Sequence, residues 1–456
     1  MERNASRLSV VSSPMSPRVN RVNSDERLPA AVDVVVVGGG IIGCLSAYYL
    51  ALKRLSVAVI EKGYIACEQS SRNWGWCRQT GRDSRELPLI RESLILWAGL
   101  NEAVGGDTGF RRTGLLYVTK DAGELARWEA WREKARDYQI QSRLLSGLEA
   151  RGLMRGCEEV WAGGLHTAND GRAEPAMATP VIAEAARRLG VTLHQSCAAR
   201  GLETEAGAVS AVVTEMGTLR TRAVLCAAGG WSSLLCRRHD LDLPQLSVRA
   251  SVLRTEVAAH VADHPISAPG FGVRRRLDGG YTVGLRGHAT FELIPDAFRY
   301  IRAFWPGYMQ ERDNIKVTLT GAFFDAWLRP RHWPLDAVSP FERIRVLDPP
   351  PDQAVLDGAL ANLRAAYPAL RDVKVAERWA GMIDVTPDAI PVISPVDSLP
   401  GFYLATGFSG HGFGIAPAAA RLAADLITGD RPLVDPSPFR YSRLVDGTRL
   451  VPQTGL

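Results

Sequence analysis

Gly38, Gly40 and Gly43 are spaced as G-x-G-x-x-G, which suits diphosphate binding. The first glycine permits a tight turn, the second lets backbone approach a pyrophosphate, and the third lets helix and strand pack closely. Ile42 falls in the first turn of the helix they open, where free amides and a partial positive charge attract phosphate. Glu61 lies 23 residues after Gly38, with Lys62 beside it, where a carboxylate can hydrogen-bond ribose hydroxyls. A 2′-phosphate beside Glu61 would be repelled, so NADP is disfavoured, while NAD and FAD both remain open. No Ser/His/Asp or Cys/His arrangement suggests a different chemistry.

The elements that must hold these residues are legible around them. Asp33–Val37 is a short β-branched run, hence a buried parallel strand. A helix follows over Ile41–Lys53, then a second buried strand over Val57–Ile60, closing a βαβ unit of about 30 residues. A glycine turn that merely packs is the plainer alternative, and the flanking strand and helix argue against it. Helical zones over Ser84–Val104 and Ala122–Ile140 come next, then an α/β stretch: helix Ala178–Leu189, strand Val191–Gln195, and strands near Val209–Thr214 and Ala223–Ala227. From Leu246 the pattern changes to strands with short turns, including a hairpin of Arg274–Leu277 and Tyr281–Leu285 about Asp278-Gly279-Gly280. Strands over Val373–Ile383, Ile390–Ile393 and Phe402–Thr406 precede a glycine-rich turn and a helix over Ile415–Ile427.

These pieces predict an α/β (α+β overall) architecture, a Rossmann-like dinucleotide domain interleaved with an antiparallel β-rich substrate domain. The expected boundaries are 32–110 with 165–240 and 370–430 for the first, and 111–164 with 241–369 for the second. Residues 431–456 form a C-terminal tail, and 1–31, polar and without an apolar secretory segment, form a disordered extension.

The chain's 456 residues, 46% apolar and 23% charged, suffice for two or three cores and exclude disorder over most of the length. Apolar runs are too short or too interrupted to span a bilayer. The net charge of +5 is scattered, which argues against nucleic acid as partner. Seven cysteines without a CxxC pair favour a reducing, cytoplasmic setting, with peripheral membrane association and a homo-oligomer left open.

Several further stretches carry a resemblance. Ser70–Arg78 (SSRNWGWCR), Ala223–Ser232 (AVLCAAGGWS), Arg378–Gly381 with Thr386-Pro387-Asp388, and Gly407–Gly414 (GFSGHGFG) follow the βαβ unit in order. Together they resemble the FAD-dependent D-amino acid oxidase superfamily, which includes glycine oxidase, sarcosine oxidase and D-amino acid dehydrogenase, over nearly the whole chain. The resemblance implies FAD as cofactor. It implies a flavin-side segment at Ser71, Arg72 and Asn73, whose hydroxyl, guanidinium and amide suit phosphate and ribitol oxygens. It implies an adenine contact at Ala199, a second nucleotide-lining turn at Ala228, Gly229 and Trp231, and a closing motif at Gly407, Gly410, His411, Gly412 and Phe413. The helix after that motif would aim its N-terminus at the flavin pyrimidine. Some relatives bind flavin through a cysteine just before Thr-Pro-Asp; Gly381–Asp384 contains none, so non-covalent FAD is expected.

The resemblance further implies oxidation of a C–N bond in an amino acid or secondary amine, by hydride transfer to flavin N5 and hydrolysis of the imine. A carboxylate substrate needs an arginine fork; the candidates are Arg78, Arg274–Arg276, Arg286, Arg329 and Arg331. Trp74 and Trp76 could wall the pocket, with Tyr281 on the hairpin. Trp76, Arg78 and His411 are the catalytic candidates, and Arg78, Tyr281 and Arg329 the substrate candidates. Fast oxidases of the sarcosine type place a lysine on a strand whose counterpart here, Tyr281–Gly284, has none. That favours a dehydrogenase passing electrons to a quinone or carrier over O2. Two alternatives remain. One is a 2-hydroxy-acid dehydrogenase using a base such as His288 or His332; the other is a non-catalytic FAD-binding assembly protein.

Overall fold

The computed structural model describes residues 17–453. Val34–Val37, Val57–Ile60, Thr192–His194 and Ala223–Cys226 are parallel neighbours in a six-stranded sheet completed by Phe402–Thr406 and, antiparallel at the edge, Val392–Pro395. Val34–Val37 sits near its middle, buried on both faces, which is why its sequence is an unbroken valine run.

The glycine turn follows from backbone geometry. Gly38 adopts φ +116°, open only to glycine, and a Cβ there would lie 2.4 Å from the Ala227 carbonyl oxygen. Helix Ile41–Leu52 then runs back over the sheet, and helices Pro175–Arg188 and Gly412–Thr428 pack against it.

The closing helix Gly412–Thr428 begins three residues earlier than its hydrophobic pattern predicts, so Gly412, Phe413 and Gly414 form its first turn. Pro417 inside this helix lacks an N–H and would by itself disturb the hydrogen-bond ladder. Helix Leu87–Ala103 engages the next pair of groups along the ladder: Ser93 Oγ and Trp97 Nε1 donate to the Gly414 carbonyl at 2.8 and 2.9 Å, and Ser93 Oγ also accepts from Ala418 N. The start of the closing helix is thereby fixed by a neighbour more than 300 residues away in sequence.

A ten-stranded sheet forms the second layer. Its longest ladder is the antiparallel pair Leu246–Thr255 and Val375–Val385, and at the Leu246/Val385 end Asp384 accepts from Gly407 N, just beyond strand Phe402–Thr406 of the first sheet. The predicted hairpin is present as Phe271–Arg275 paired antiparallel with Tyr281–Gly284. The architecture is thus mixed α/β, with a largely parallel and a largely antiparallel sheet.

Two expectations change. The disordered extension over 1–31 lies outside the described residues for 1–16. Residues 17–31 instead lie along the sheet edge, where Asp25 N donates to Leu193 O and Asp25 Oδ2 accepts from Leu193 N. The stretch after the hairpin is not all strands: Pro295–Arg299, Ile301–Glu311 and Ala322–Leu328 are helices with no buried residue. They leave Phe298, Trp305, Phe324, Trp327 and Leu328 more than half exposed.

Candidate functional site

The C-terminal ends of Val34–Val37, Val57–Ile60 and Ala223–Cys226 open onto one cavity of about 560 Å³. Ligands bind at such strand ends in open α/β sheets. At one end the glycine turn forms a cradle: a Cβ on Gly40 would approach Ser70 Oγ at 3.0 Å, and the opening amides of the helix have no helical carbonyl to satisfy them. Ser70 Oγ accepts from Ile41 N at 2.9 Å.

Glu61 is held at the cavity wall by two backbone amides, Gly39 N to Oε2 at 2.7 Å and Gly63 N to Oε1 at 2.6 Å. Burial pushes its carboxyl above the ordinary range, against the opposing pull of Lys62 and these amides. Its remaining lone pairs suit ribose hydroxyls. Lys62 Nζ lies 4.3 Å over the Trp231 ring, and both bind Glu68. Ala199, Ala228 and Gly229 line the same wall, with Gly38 and Ile42 nearby.

At the other end, Trp74 and Trp76 meet edge to face at 5.0 Å, and Trp76 meets Tyr117 at 6.4 Å. Arg286 stacks on Tyr117, its guanidinium 5.1 Å from the ring centroid, and its Nη2 donates to Glu124 at 2.9 Å. Arg78 donates to the Thr80 carbonyl and lines the cavity beside Trp76. Gly410, His411, Gly412 and Phe413 close this end. His411 caps the closing helix with its Nδ1 3.5 Å from Glu86 Oε2. Burial pushes the imidazole down; Glu86, which burial alone would raise, is held below the usual carboxylate range by His411 and Arg82.

Five of the cofactor and substrate candidates sit elsewhere, and Arg274, Arg275, Arg276, Arg331 and His332 also lie outside this cavity's lining, Arg274 being buried in a pair with Glu174. Ser71 turns away from the cavity, bonded to Glu68 O, and its neighbour Ser70 takes the cavity side. Gly43 packs against the turn, where a Cβ would meet Gly38 O at 2.0 Å. Gly407 shapes the loop behind the wall, its N–H donating to Asp384 at 2.7 Å. Tyr281 is buried in the second core, its hydroxyl bonded to Ala259 O and Val261 N, because both faces of its strand are covered. Arg329 lies outside the cavity lining, over the Trp231 ring at 5.6 Å. Arg72 and Asn73 line the cavity as braces. Arg72 donates to Cys67 O, Ala380 O and Asp348, and Asn73 donates to Gln69 O and Ser70 O.

Sequence reasoning missed three residues. Tyr117 supports Arg286. Asp384, buried, receives Gln245 at 2.8 Å and Gly407 N and so fixes the closing loop. Glu86 lies in the helical zone expected over Ser84–Val104, none of whose residues was singled out. An acidic residue with apolar neighbours on a buried helix face is the signal that could have found it.

The cradle, the buried acid at the end of the second strand and the aromatic far end fit one extended ligand with a diphosphate, as FAD is. A family profile described as FAD dependent oxidoreductase matches residues 33–426. A glycine oxidase of Pseudomonas aeruginosa is 26% identical over 421 residues, covering 89% of this chain and 97% of its own. An L-amino acid deaminase of Proteus myxofaciens, solved with anthranilate, superposes with a TM-score of 0.91 at 31% identity, covering 94% of this chain and 98% of that one. The enzyme of the same name from Proteus vulgaris gives 0.88 at 32% identity, covering 92% and 99%. The expected superfamily and the expected cofactor are both borne out: the chain belongs to the FAD-dependent oxidoreductase family, DAO.

Proposed function

We propose that this protein oxidises the C–N bond of an amino acid or secondary amine to an imine, which water hydrolyses to a carbonyl product. Bound FAD supplies the hydride acceptor, its N5. The observation carrying this reading is that one cavity joins a dinucleotide cradle to an aromatic pocket with guanidinium groups at Arg78, Arg82 and Arg286. Arg286 is the best carboxylate ligand. Stacking on Tyr117 and its bond to Glu124 hold its plane, so the fork is already oriented when a carboxylate arrives. Trp74, Trp76 and Tyr117 offer an apolar wall to the substrate's carbon side. Relatives named glycine oxidase, sarcosine dehydrogenase and L-amino acid deaminase support a substrate of the same chemical class.

The cavity's own residues also bear on the acceptor and on flavin attachment. Lys62 is the one lysine among the described lining residues and stands at the ribose end, so no ammonium is offered near the reacting end for oxygen activation. This supports a dehydrogenase serving a quinone or carrier. The lining cysteine, Cys67, lies 3.7 Å from Glu61, also at the ribose end, which supports non-covalent FAD.

We read the two sheets as interleaved cofactor and substrate domains, with strand Val375–Val385, expected in the first, pairing into the second. No helix of the described residues is long and apolar enough to cross a membrane. Exposed Phe298, Trp305 and Trp327 support peripheral contact with a lipid surface.

Anaerobic addition of D- and L-amino acids, N-methyl amino acids and 2-hydroxy acids tests the reading through bleaching of the flavin. Bleaching by amino or N-methyl acids supports it. Bleaching by 2-hydroxy acids alone would move the chemistry to a C–O bond, for which His288 in the cavity lining offers a base. No bleaching would leave a non-catalytic FAD-binding protein.

A further inference from the structure

An amino substrate reaches the enzyme largely as an ammonium ion at neutral pH and must lose a proton before its C–H bond can release hydride. Arg82, Glu86 and His411 stand together at the flavin end with unusual electrostatics. Glu86 is fully buried, and neither of its carboxylate oxygens has a hydrogen-bond partner. The facing atoms Arg82 Nη1, at 3.8 Å, and His411 Nδ1, at 3.5 Å, are also buried and unpartnered. A buried carboxylate so placed is costly unless a proton or cation engages it. His411 Nδ1 is sealed against Glu86 while 28% of its side chain remains accessible and the ring lines the cavity.

We propose that Glu86 and His411 form a proton-accepting pair for the substrate ammonium, His411 as the base and Glu86 as its positioning residue. The inference rests on the C–N reading above. Glu86 keeps the proton on Nδ1, which leaves Nε2 with its lone pair toward the cavity. The ammonium N–H bond breaks, the proton binds Nε2, and the electron pair stays on the substrate nitrogen, ready to form the imine as hydride departs. Nδ1 keeps its proton throughout, and the imidazolium is stabilised by Glu86. The contact shortens on loading, as catalytic hydrogen bonds do when a site fills. The other charges facing the pair are Arg78 and Arg82, which oppose imidazolium formation. Behind them Tyr117 and Asp170 face Arg82, and Arg85 lies beside Glu86. Arg82 Nη2 also donates to the His411 carbonyl at 3.2 Å, fixing the backbone that carries the ring.

The test uses the FAD-loaded full chain and anaerobic stopped-flow bleaching from pH 5 to 10, with L-phenylalanine, D-alanine and sarcosine as probes. For the parent, the limiting rate falls as pH drops through the His411 titration. Glu86→Gln lowers the rate at neutral pH by about 100-fold and moves that inflection to lower pH, because the carboxylate that favours the imidazolium is gone. Glu86→Asp restores the inflection. His411→Asn abolishes it, leaving only the substrate's own ammonium titration. Nitrogen-15 spectra of histidine-labelled holoenzyme, assigned by loss of the signal in His411→Asn, show the proton on Nδ1 in the parent. A Glu86→Gln profile superimposed on the parent's, or a proton on Nε2 in the parent, overturns the proposal. If no probe bleaches the flavin, the C–N reading fails and the pair's role with it; a bleached flavin with an unaltered Glu86→Gln profile sinks the pair alone.

Discussion

Glu61 Oε2 accepts the backbone N–H of Gly39 at 2.7 Å, tying the end of the second strand to the glycine turn that faces it. One carboxylate thus shapes the phosphate cradle and offers its free lone pairs to a ribose. Glu61→Ala removes both, and a charge-assisted hydrogen bond is worth roughly 1.5–3 kcal/mol. Fluorescence titration of the apoprotein is expected to show FAD affinity lowered ten- to a hundred-fold, with Glu61→Gln intermediate.

Gly43 and Gly99 make a matched pair of glycine tests. A methyl group on Gly43 would sit 2.0 Å from the Gly38 carbonyl oxygen, whereas one on Gly99, in helix Leu87–Ala103, meets nothing within 4 Å. Gly43→Ala is expected to yield protein that neither melts at the parent temperature nor retains flavin. Gly99→Ala should keep flavin and gain up to about 1 kcal/mol from helix propensity, read by thermal melting.

The contrast between these glycines shows what the sequence could convey. The βαβ unit was legible because its cause is local: a valine run buried on both faces, a turn needing glycine, a second apolar strand ending in an acid. The helices over 295–328 were not. Pro306 lies inside one of them, where its ring removes a backbone N–H and argues against a helix. Tyr281 was misplaced for a related reason. All four residues of its strand are buried, so alternation could not say which side faced the site. Ser70 and Ser71 are adjacent on one short helical turn, and only the fold decides which points inward. The Glu86–His411 contact joins positions 325 apart, which no spacing rule connects.

Arg286 separates carboxylate recognition from flavin binding. Arg286→Ala should leave the flavin spectrum and FAD affinity intact while weakening carboxylate substrates by about 2 kcal/mol or more, seen as a raised half-saturation in anaerobic reduction. Arg286→Lys keeps the charge without the fork and should recover only part of the loss. An equal loss for an amine without a carboxylate would assign Arg286 to general architecture instead.

The exposed aromatics at Trp305 and Trp327 bear on where the enzyme works. Co-sedimentation with vesicles of phosphatidylglycerol and phosphatidylcholine should retain the parent and release a Trp305→Ser/Trp327→Ser variant of unchanged melting temperature. Equal recovery in the supernatant for both would remove the lipid contact.

Anaerobic addition of amino and N-methyl amino acids to the yellow holoenzyme, followed in the flavin absorption band, addresses the central claim most directly. Stoichiometric bleaching by at least one of them, with the matching carbonyl compound and ammonia or methylamine released, is the predicted result. A flavin that stays oxidised against every member, or that is bleached only by 2-hydroxy acids, would contradict C–N oxidation.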